Sequence, residues 1–476
     1  MSMQILHIVL TSFFIFSLAN CQKLDLTNPS DPESVSFLQT QIIRCFLTPI
    51  PCFEIPQNNA GNKEWTRIFG GGSSTHTTAS SVVTDRFGFV YVSGITSGSM
   101  FNQTKVSPGS SADIFLAKYD PSGKLLWVRQ MGSLLEYNQY ANSIQFDVFG
   151  DILITGAGRG PFNEHLESND GPILIKLNAN DGNVLWTRIF SSSGESFAHS
   201  VTSDIEGNVY ITGETEDQVI GTETVFGGRN FFLFKYSRDG NLLWTRLLDP
   251  SGSSSYGYSL KYDFYSGNIV VAGYAGITGS FLGSPLVVDE TSTNMILAAF
   301  RPDGSAVWAR TLGASGGSTA GFSISLDRRG HIYVAGDTSI SLDGQTKSGT
   351  SDQILVKYDM LGNRIWTRLL GANPGVNTIA YAVYADNNGH IYTAGSTMGS
   401  LNGETINGTR DVFLSKYDSE GNLVWVRMSG GPGLSMDAKG LYADLYGTLY
   451  LTGFTNGGFD GQTISGTQDG FLIQYK

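Results

Sequence analysis

Histidines are the side chains best suited to metal binding or proton transfer, and this chain has six, at His7, His76, His165, His199, His331 and His390. Their spacing supports neither role, because no HExxH, CxxC or paired-His pattern occurs. His331 and His390 each follow a glycine at the entrance to an alternating apolar stretch, where a solvated turn residue is expected. Carboxylates are the next candidates. Asp85, Asp147, Asp204, Asp263, Asp327, Asp386 and Asp444 recur in phase, each with Gly three residues later, or four after Asp263. Seven equivalent catalytic acids make no chemical sense, whereas an Asp that accepts backbone N–H bonds in a tight turn closed by Gly does. Asp343-Gly344, Asn402-Gly403 and Asp460-Gly461 offer oxygens to calcium, but one or two carboxylates per loop fall short of the roughly six to eight ligands calcium takes. A hairpin turn is the expected reading there. The serines between Gly313 and Gly321 form neither a nucleophile elbow nor a phosphate loop. No catalytic residue, metal site or cofactor is expected.

The elements around these residues come from a repeat. All seven tryptophans, Trp65, Trp127, Trp186, Trp244, Trp308, Trp366 and Trp425, fall 62, 59, 58, 64, 58 and 59 residues apart. Scattered core tryptophans would not keep that spacing, so each marks one place in a repeated unit. After each recurrent Asp-to-Gly turn comes a strand such as Val90-Tyr91-Val92 or Ile332-Tyr333-Val334, which ends at Gly94, Gly156, Gly213, Gly273, Gly336, Gly395 or Gly453. A further strand, a turn and the Trp strand follow, as in Asp411 to Asp418, Ser419-Glu420-Gly421 and Asn422 to Arg427. Period-two alternation between such turns predicts four antiparallel strands per copy. With 59 glycines, 12% aromatic residues and 15% charged residues, the composition suits many short strands in an all-β chain.

Six residues before each recurrent Asp stands a small residue: Ala79, Ala141, Ala198, Gly257, Gly321, Ala380 and Ala438. Three residues further on the copies carry Val82, Ile144, Val201, Leu260, Ile324, Val383 and Leu441. This is the pattern of an innermost strand, where sheets converge on an axis and only small side chains fit. One position after the small residue, the copies diverge to Ser80, Asn142, His199, Tyr258, Phe322, Tyr381 and Lys439. Unlike side chains at equivalent positions near an axis are the candidates for a ligand site, with His199, Tyr258, Phe322, Tyr381 and Lys439 the most informative. Simple packing between copies is the competing explanation.

The ends fix the architecture. The repeats begin with a lone Trp strand, Glu64 to Ile68, and finish on Asp469 to Tyr475 without one. The sequence therefore predicts a seven-bladed β-propeller of four-stranded antiparallel blades over residues 62–476, closed by an N-terminal strand that completes the last blade.

Residues 5–19 are an apolar run of export-signal length, and Leu18-Ala19-Asn20-Cys21 resembles the lipobox of bacterial lipoproteins, in the relaxed spirochaete form. The resemblance implies a signal peptide over 1–20, lipidation at Cys21 and a tether over 21–61. Two departures stand out, the absence of Lys or Arg before the run and Asn20 in place of Gly or Ala. Cys45 and Cys52 bracket a short loop that a disulfide would close in an oxidising compartment, or remain two thiols on a tether. A net charge of −12 speaks against nucleic acid as a partner.

The unit Asp…Gly-(Asn/His)-(Ile/Val)-Tyr, a variable loop, Asp-x-Phe-Leu-x-Lys-Tyr-Asp, Gly-Asn-Leu and Trp-x-Arg resembles the SBBP repeat, a β-propeller repeat of bacterial exported and cell-surface proteins. Copies two and four depart most, at Lys176-Leu177 and Ala299-Phe300, and altered outer surfaces are expected there. The resemblance implies fold and export and brings no catalytic residues. The expected function is a monomeric binding or scaffold module for a protein or glycan, a lipoprotein anchored in the bacterial outer membrane and facing the periplasm or the surface, or else a secreted protein. The alternatives are an extracellular carbohydrate-active hydrolase or lyase with its site in the central funnel, and an outer-membrane assembly factor.

Overall fold

The computed structural model describes residues 60–476 except 163–169, 218, 221–222, 225–227, 249–253, 277–279, 286–291 and 387. The chain divides into two units, Met1–Cys52 and Phe53–Lys476, and every described residue belongs to the second. The expected signal peptide, lipidation at Cys21, the Cys45–Cys52 bridge and the tether up to residue 59 lie outside the described residues.

Seven four-stranded antiparallel sheets make the blades of a propeller. Blade one runs from its inner strand Thr77–Thr84 through Val90–Thr96 and Asp113–Tyr119 to its outer strand Leu125–Met131. The inner strands of the next six are Tyr140–Phe146, Ser196–Ser203, Ser255–Tyr262, Thr319–Leu326, Thr378–Ala385 and Met436–Ala443. Each described Trp stands on an outer strand, as the spacing predicts.

The recurrent Asp does the turn's hydrogen bonding. In blade one, Asp85 Oδ1 accepts from the backbone N–H of Phe87 at 2.9 Å and of Phe89 at 3.0 Å, while Oδ2 accepts from the Tyr91 hydroxyl at 3.2 Å. The same tyrosine bond recurs at Asp204, with Tyr210 at 2.9 Å, and at Asp327, with Tyr333 at 3.1 Å. His331 and His390 differ from expectation: they are half-buried, and Nδ1 of each lies 2.8 and 2.9 Å from Oδ2 of Asp327 and Asp386. A second polar partner for the turn carboxylate draws these rings in from solvent.

Seven hydrophobic clusters hold the blades together, each shared by two neighbours. The departures in copies two and four belong to this interior rather than to the outer surface, since Leu177 and Ala299 are buried. In blades one, three, five and six a third-strand Lys lies over the second-strand Tyr, as Lys118 over Tyr91 at 4.8 Å and Lys357 over Tyr333 at 5.5 Å. In blade four the register partners are Val270 and Ala299, so ring and cation are lost together and an apolar pair fills the space.

The Trp-x-Arg motif clamps one blade to the next. The Arg310 guanidinium stacks 5.5 Å from the Trp308 ring and donates to the Gly362 and Leu361 carbonyls of the following blade at 3.0 and 2.9 Å. Arg67, Arg188 and Arg368 reach the corresponding Gly carbonyls at 2.7, 2.7 and 2.8 Å. Gly362, at φ +76°, sits flat on the Trp308 ring where a Cβ would collide.

Closure uses the same parts. Lys63–Phe69 pairs antiparallel with Asp469–Tyr475, completing blade seven, and Asn62 and Lys476 exchange backbone hydrogen bonds of 2.7 and 2.8 Å. Arg427 donates to the Ala60 carbonyl at 2.9 Å and Gly61, at φ +73°, packs on Trp425, so residues 60–62 replace the turn that is covalent in other blades. The Asp460 carboxylate takes Lys63 Nζ and the Thr66 hydroxyl, both at 2.7 Å. Removing residues 60–69 strips a strand and a clamp from blade seven and opens its edge. The truncated protein is expected to melt well below the parent and to self-associate; calorimetry with light scattering checks this, and an unchanged melt would refute the closure.

Candidate functional site

The seven variable positions share one backbone feature that alternation alone does not reveal. In every inner strand the register steps by one residue immediately after the small residue, between Ala79 and Ser81, Ala141 and Ser143, Ala198 and Ser200, Gly257 and Ser259, Gly321 and Ser323, Ala380 and Ala382, and Ala438 and Gly440. Ser80, Asn142, His199, Tyr258, Phe322, Tyr381 and Lys439 are therefore bulge residues with no cross-strand partner. A bulge re-aims the extra side chain out of the pleat. All seven are half-buried, neither packed away nor free in solvent.

The recurrent second-strand glycine is the other half of this device; the strand does not end there as the sequence suggested but runs two residues further, to Thr96, Thr215, Thr397 and Thr455 in blades one, three, six and seven. It pairs with the small residue, and a Cβ there would collide with the preceding inner-strand carbonyl: Thr78 for Gly94, Phe197 for Gly213, Ile379 for Gly395, Asp437 for Gly453. Only glycine lets the bulged backbone approach so closely. The bulge lies near the start of each inner strand, at the end where the loop from the previous blade arrives, and the Asp turn lies at the other end. The site is thus at one mouth of the ring.

Six of the seven residues touch in blade order. Asn142 Nδ2 lies 3.5 Å from His199 Nδ1; the His199 ring stacks on Tyr258 with centroids 4.7 Å apart and planes 13° apart. Tyr258 meets Phe322 edge to face at 5.3 Å, and Phe322 meets Tyr381 at 5.9 Å. Lys439 Nζ stands 4.0 Å from the Tyr381 ring centroid and 5.7 Å from that of Phe454. The candidates named from sequence are brought together as a continuous arc with an imidazole at one end and an ammonium at the other.

Polar partners that no linear pattern pointed to flank both ends. His199 Nε2 is in direct contact with the Glu214 carboxylate, which is buried in the second strand of blade three and also faces Arg229 at 3.7 Å. Arg229 is itself bonded to Glu195 at 2.7 Å and Glu216 at 3.3 Å. At the other end Asp437, buried, accepts from Arg410 at 3.0 Å through Oδ2, and its Oδ1 has no hydrogen-bond partner among the described residues. Burial raises the Tyr258 hydroxyl above the usual phenol range, reinforced by the neighbouring Tyr274 hydroxyl and the Glu214 carboxylate. Burial, with Asp437 nearby, pushes Tyr381 up to about 12. The same burial lowers Lys439, and Asp437 opposes that shift. These tyrosines are neutral hydrogen-bonding platforms at neutral pH.

The remaining carboxylate loops are committed to structure. Asp343 and Gly344, Asn402 and Gly403, and Asp460 and Gly461 all have positive φ, the geometry of a primed hairpin turn. Asp343 holds Arg364 at 2.8 Å and the Thr367 hydroxyl, as Asp460 holds Lys63 and Thr66.

Sheet order, strand exchange and axial bulges define a seven-bladed β-propeller. Within that class, the chain carries the SBBP beta-propeller repeat, matched at residues 64–102, 185–217, 307–343 and 365–402. Each match starts on an outer strand and runs through the first two strands of the following blade, so the sequence repeat straddles two blades. An uncharacterized WD repeat-containing protein of Acanthamoeba polyphaga mimivirus is 24% identical over 66% of this chain and 29% of its own length. The regulatory protein FlaEY of Caulobacter vibrioides is 32% identical over 31% of this chain and 17% of its own. The chain thus spans less than a third of either curated relative. Among solved structures, the Pan2 WD40 domain of Neurospora crassa is 8% identical, with a TM-score of 0.45 over 87% of this chain and 97% of that one.

The division between fixed frame and free position is testable by denaturant unfolding. Gly395→Ala forces a Cβ into the Ile379 carbonyl and is expected to cost on the order of 3 kcal/mol or more. Tyr381→Ser, at the bulge of the same blade, loses the Phe322 pair and the Lys439 cation–π contact and is expected to cost about 1–2 kcal/mol, less than the glycine substitution. Equal losses would contradict the assignment.

Proposed function

We propose that this chain is a non-catalytic binding and scaffold protein of the bacterial cell envelope, a monomer held to a membrane by acyl chains on Cys21, and that its ring presents the axial arc to a glycan. The observation carrying this reading is that the side-chain position freed by the bulge in each blade differs from blade to blade, and that six of these residues touch in blade order as one half-buried surface. Aromatic faces bordered by a few polar groups suit the apolar faces and hydroxyls of sugars.

Two further points favour a glycan over an extended peptide, and binding over catalysis. Several inner-strand edges are already occupied: hydroxyls of the previous blade accept from the N–H of Ile144, Leu260, Ile324 and Val383 at 3.3, 3.2, 3.1 and 3.1 Å. At those positions a peptide finds no backbone donor for strand addition. A glycosidase requires a proton-bearing carboxyl and a second carboxylate across one bond. Here each carboxylate flanking the arc lies against a cationic or imidazole side chain, Glu214 against His199 and Arg229 and Asp437 against Arg410, although Glu214 Oε2 and Asp437 Oδ1 have no hydrogen-bond partner among the described residues. Several acyl chains would give the durable attachment that one chain does not.

Screening the detergent-solubilised full chain against glycan and peptide libraries tests the ligand class. A glycan hit is expected to weaken at least about tenfold in the Tyr258→Ala, Tyr381→Ala double variant, by loss of two stacking faces. Peptide hits alone, or glycan affinity unchanged in a folded double variant, would refute the reading. The anchor is checked separately: labelled palmitate should enter the parent and not a Cys21→Ser variant, which should leave the membrane fraction.

A further inference from the structure

The arc is chemically lopsided, and the asymmetry names a ligand feature. Of the charged groups at this mouth, the guanidiniums of Arg229 and Arg410 are spent on Glu195, Glu214, Glu216 and Asp437. Arg159 is turned towards Glu195 at 3.6 Å. Lys439 is different. Among the described residues no oxygen accepts a hydrogen bond from its Nζ, and what holds it is the Tyr381 ring, 4.0 Å from the centroid, with Phe454 beyond. A cation over an aromatic face is fixed in place while its N–H donors remain unsaturated. It is also the only formal cation among the seven bulge residues, and it closes the row of rings formed by Tyr258, Phe322 and Tyr381.

We propose that Lys439 is an anion-recognising residue at the blade-seven end of the arc, and that the ligand is an acidic glycan whose sugar faces rest on Tyr258, Phe322 and Tyr381 while an anionic substituent is held by the Lys439 ammonium. This rests on the binding-ring reading above and names its substrate class. An ammonium is a point charge and does not demand the planar, bidentate geometry of an arginine, so a carboxylate and a sulfate ester satisfy it equally in principle.

The test is calorimetric titration of the detergent-solubilised full chain at pH 6 and low salt. Three oligosaccharides of equal length are used: oligogalacturonate for the carboxylate, a sulfated galactan oligomer for the sulfate, and an uncharged cello-oligosaccharide. At least one acidic oligomer is expected to bind about tenfold or more tighter than the neutral one, with the advantage shrinking as salt rises. Lys439→Gln should bring the acidic oligomer down to the neutral level while leaving the neutral affinity unchanged, and Lys439→Arg should restore most of the difference. Melting curves confirm that both variants fold. Equal binding of acidic and neutral oligomers by the parent overturns this proposal and leaves the glycan-binding ring standing, as does an acidic preference that survives Lys439→Gln. Binding of none of the three overturns this inference, and the library screen then decides the broader reading.

Discussion

One close approach governs the molecule: the inner-strand carbonyl that passes over the recurrent glycine of the second strand. Each inner strand carries one residue more than its partner can pair with, and the surplus is accommodated where the two backbones come nearest. The glycine is required because no side chain fits beneath the carbonyl, and the preceding Ala or Gly is required because that residue points between converging blades. The surplus residue escapes both restrictions. A single packing constraint thus yields two nearly invariant positions and one free one, repeated seven times around an axis.

The outer rim is fixed by a different force. Near the axis, blades are joined by apolar clusters and hydroxyl-to-backbone bonds; at the rim, where they diverge, each Trp-x-Arg pair spans the gap to a turn carbonyl of the next blade. Buried carbonyls at a turn would carry a desolvation cost if unpaired, and the guanidinium removes it while the indole covers the glycine. Because Ala60 and Gly61 enter this arrangement as though they were a turn of blade seven, the ring closes without a seam in its interactions, although the chain is interrupted there.

The fold was legible because its constraints repeat. Tryptophan spacing gave the blade number, the phase at Glu64 and Tyr475 gave the closure, and the Asp-to-Gly turns gave the hairpins. The bulge was legible in principle: Ala79 to Thr84 is six residues, and the stretch it faces, Val90 to Gly94, is five. Counting alternation strand by strand hides that mismatch, because each strand looks regular alone. The polar surroundings of the arc were not legible. Glu214 meets His199 because the bulge shifts the pairing that sets Phe197 opposite Glu214, Arg229 arrives at the start of the third strand of that blade, and Asp437 lies two residues before Lys439 on one inner strand, so none of the three carries a recurring motif. His331 and His390 are the turn residues the sequence indicates, and their partial burial was not legible because it depends on the second oxygen of the turn Asp lying beside Nδ1 of the ring.

Repetition also bears on how function must be sought in such a chain. Where seven copies agree, the shared residue answers to the shared backbone, and reading chemistry into it confuses frame with site. The recurrent Asp illustrates this: its oxygens are filled by the turn it closes. Where the copies disagree on an exposed outer edge, the disagreement carries little information, since almost any solvated residue is tolerated there. The bulge position is neither case. It is held by the most tightly constrained part of each blade, aimed at a common mouth, half-covered by neighbouring copies, and still occupied by hydroxyl, amide, imidazole, phenol, phenyl and ammonium in turn. The ring therefore fixes where these side chains stand while leaving their chemistry open.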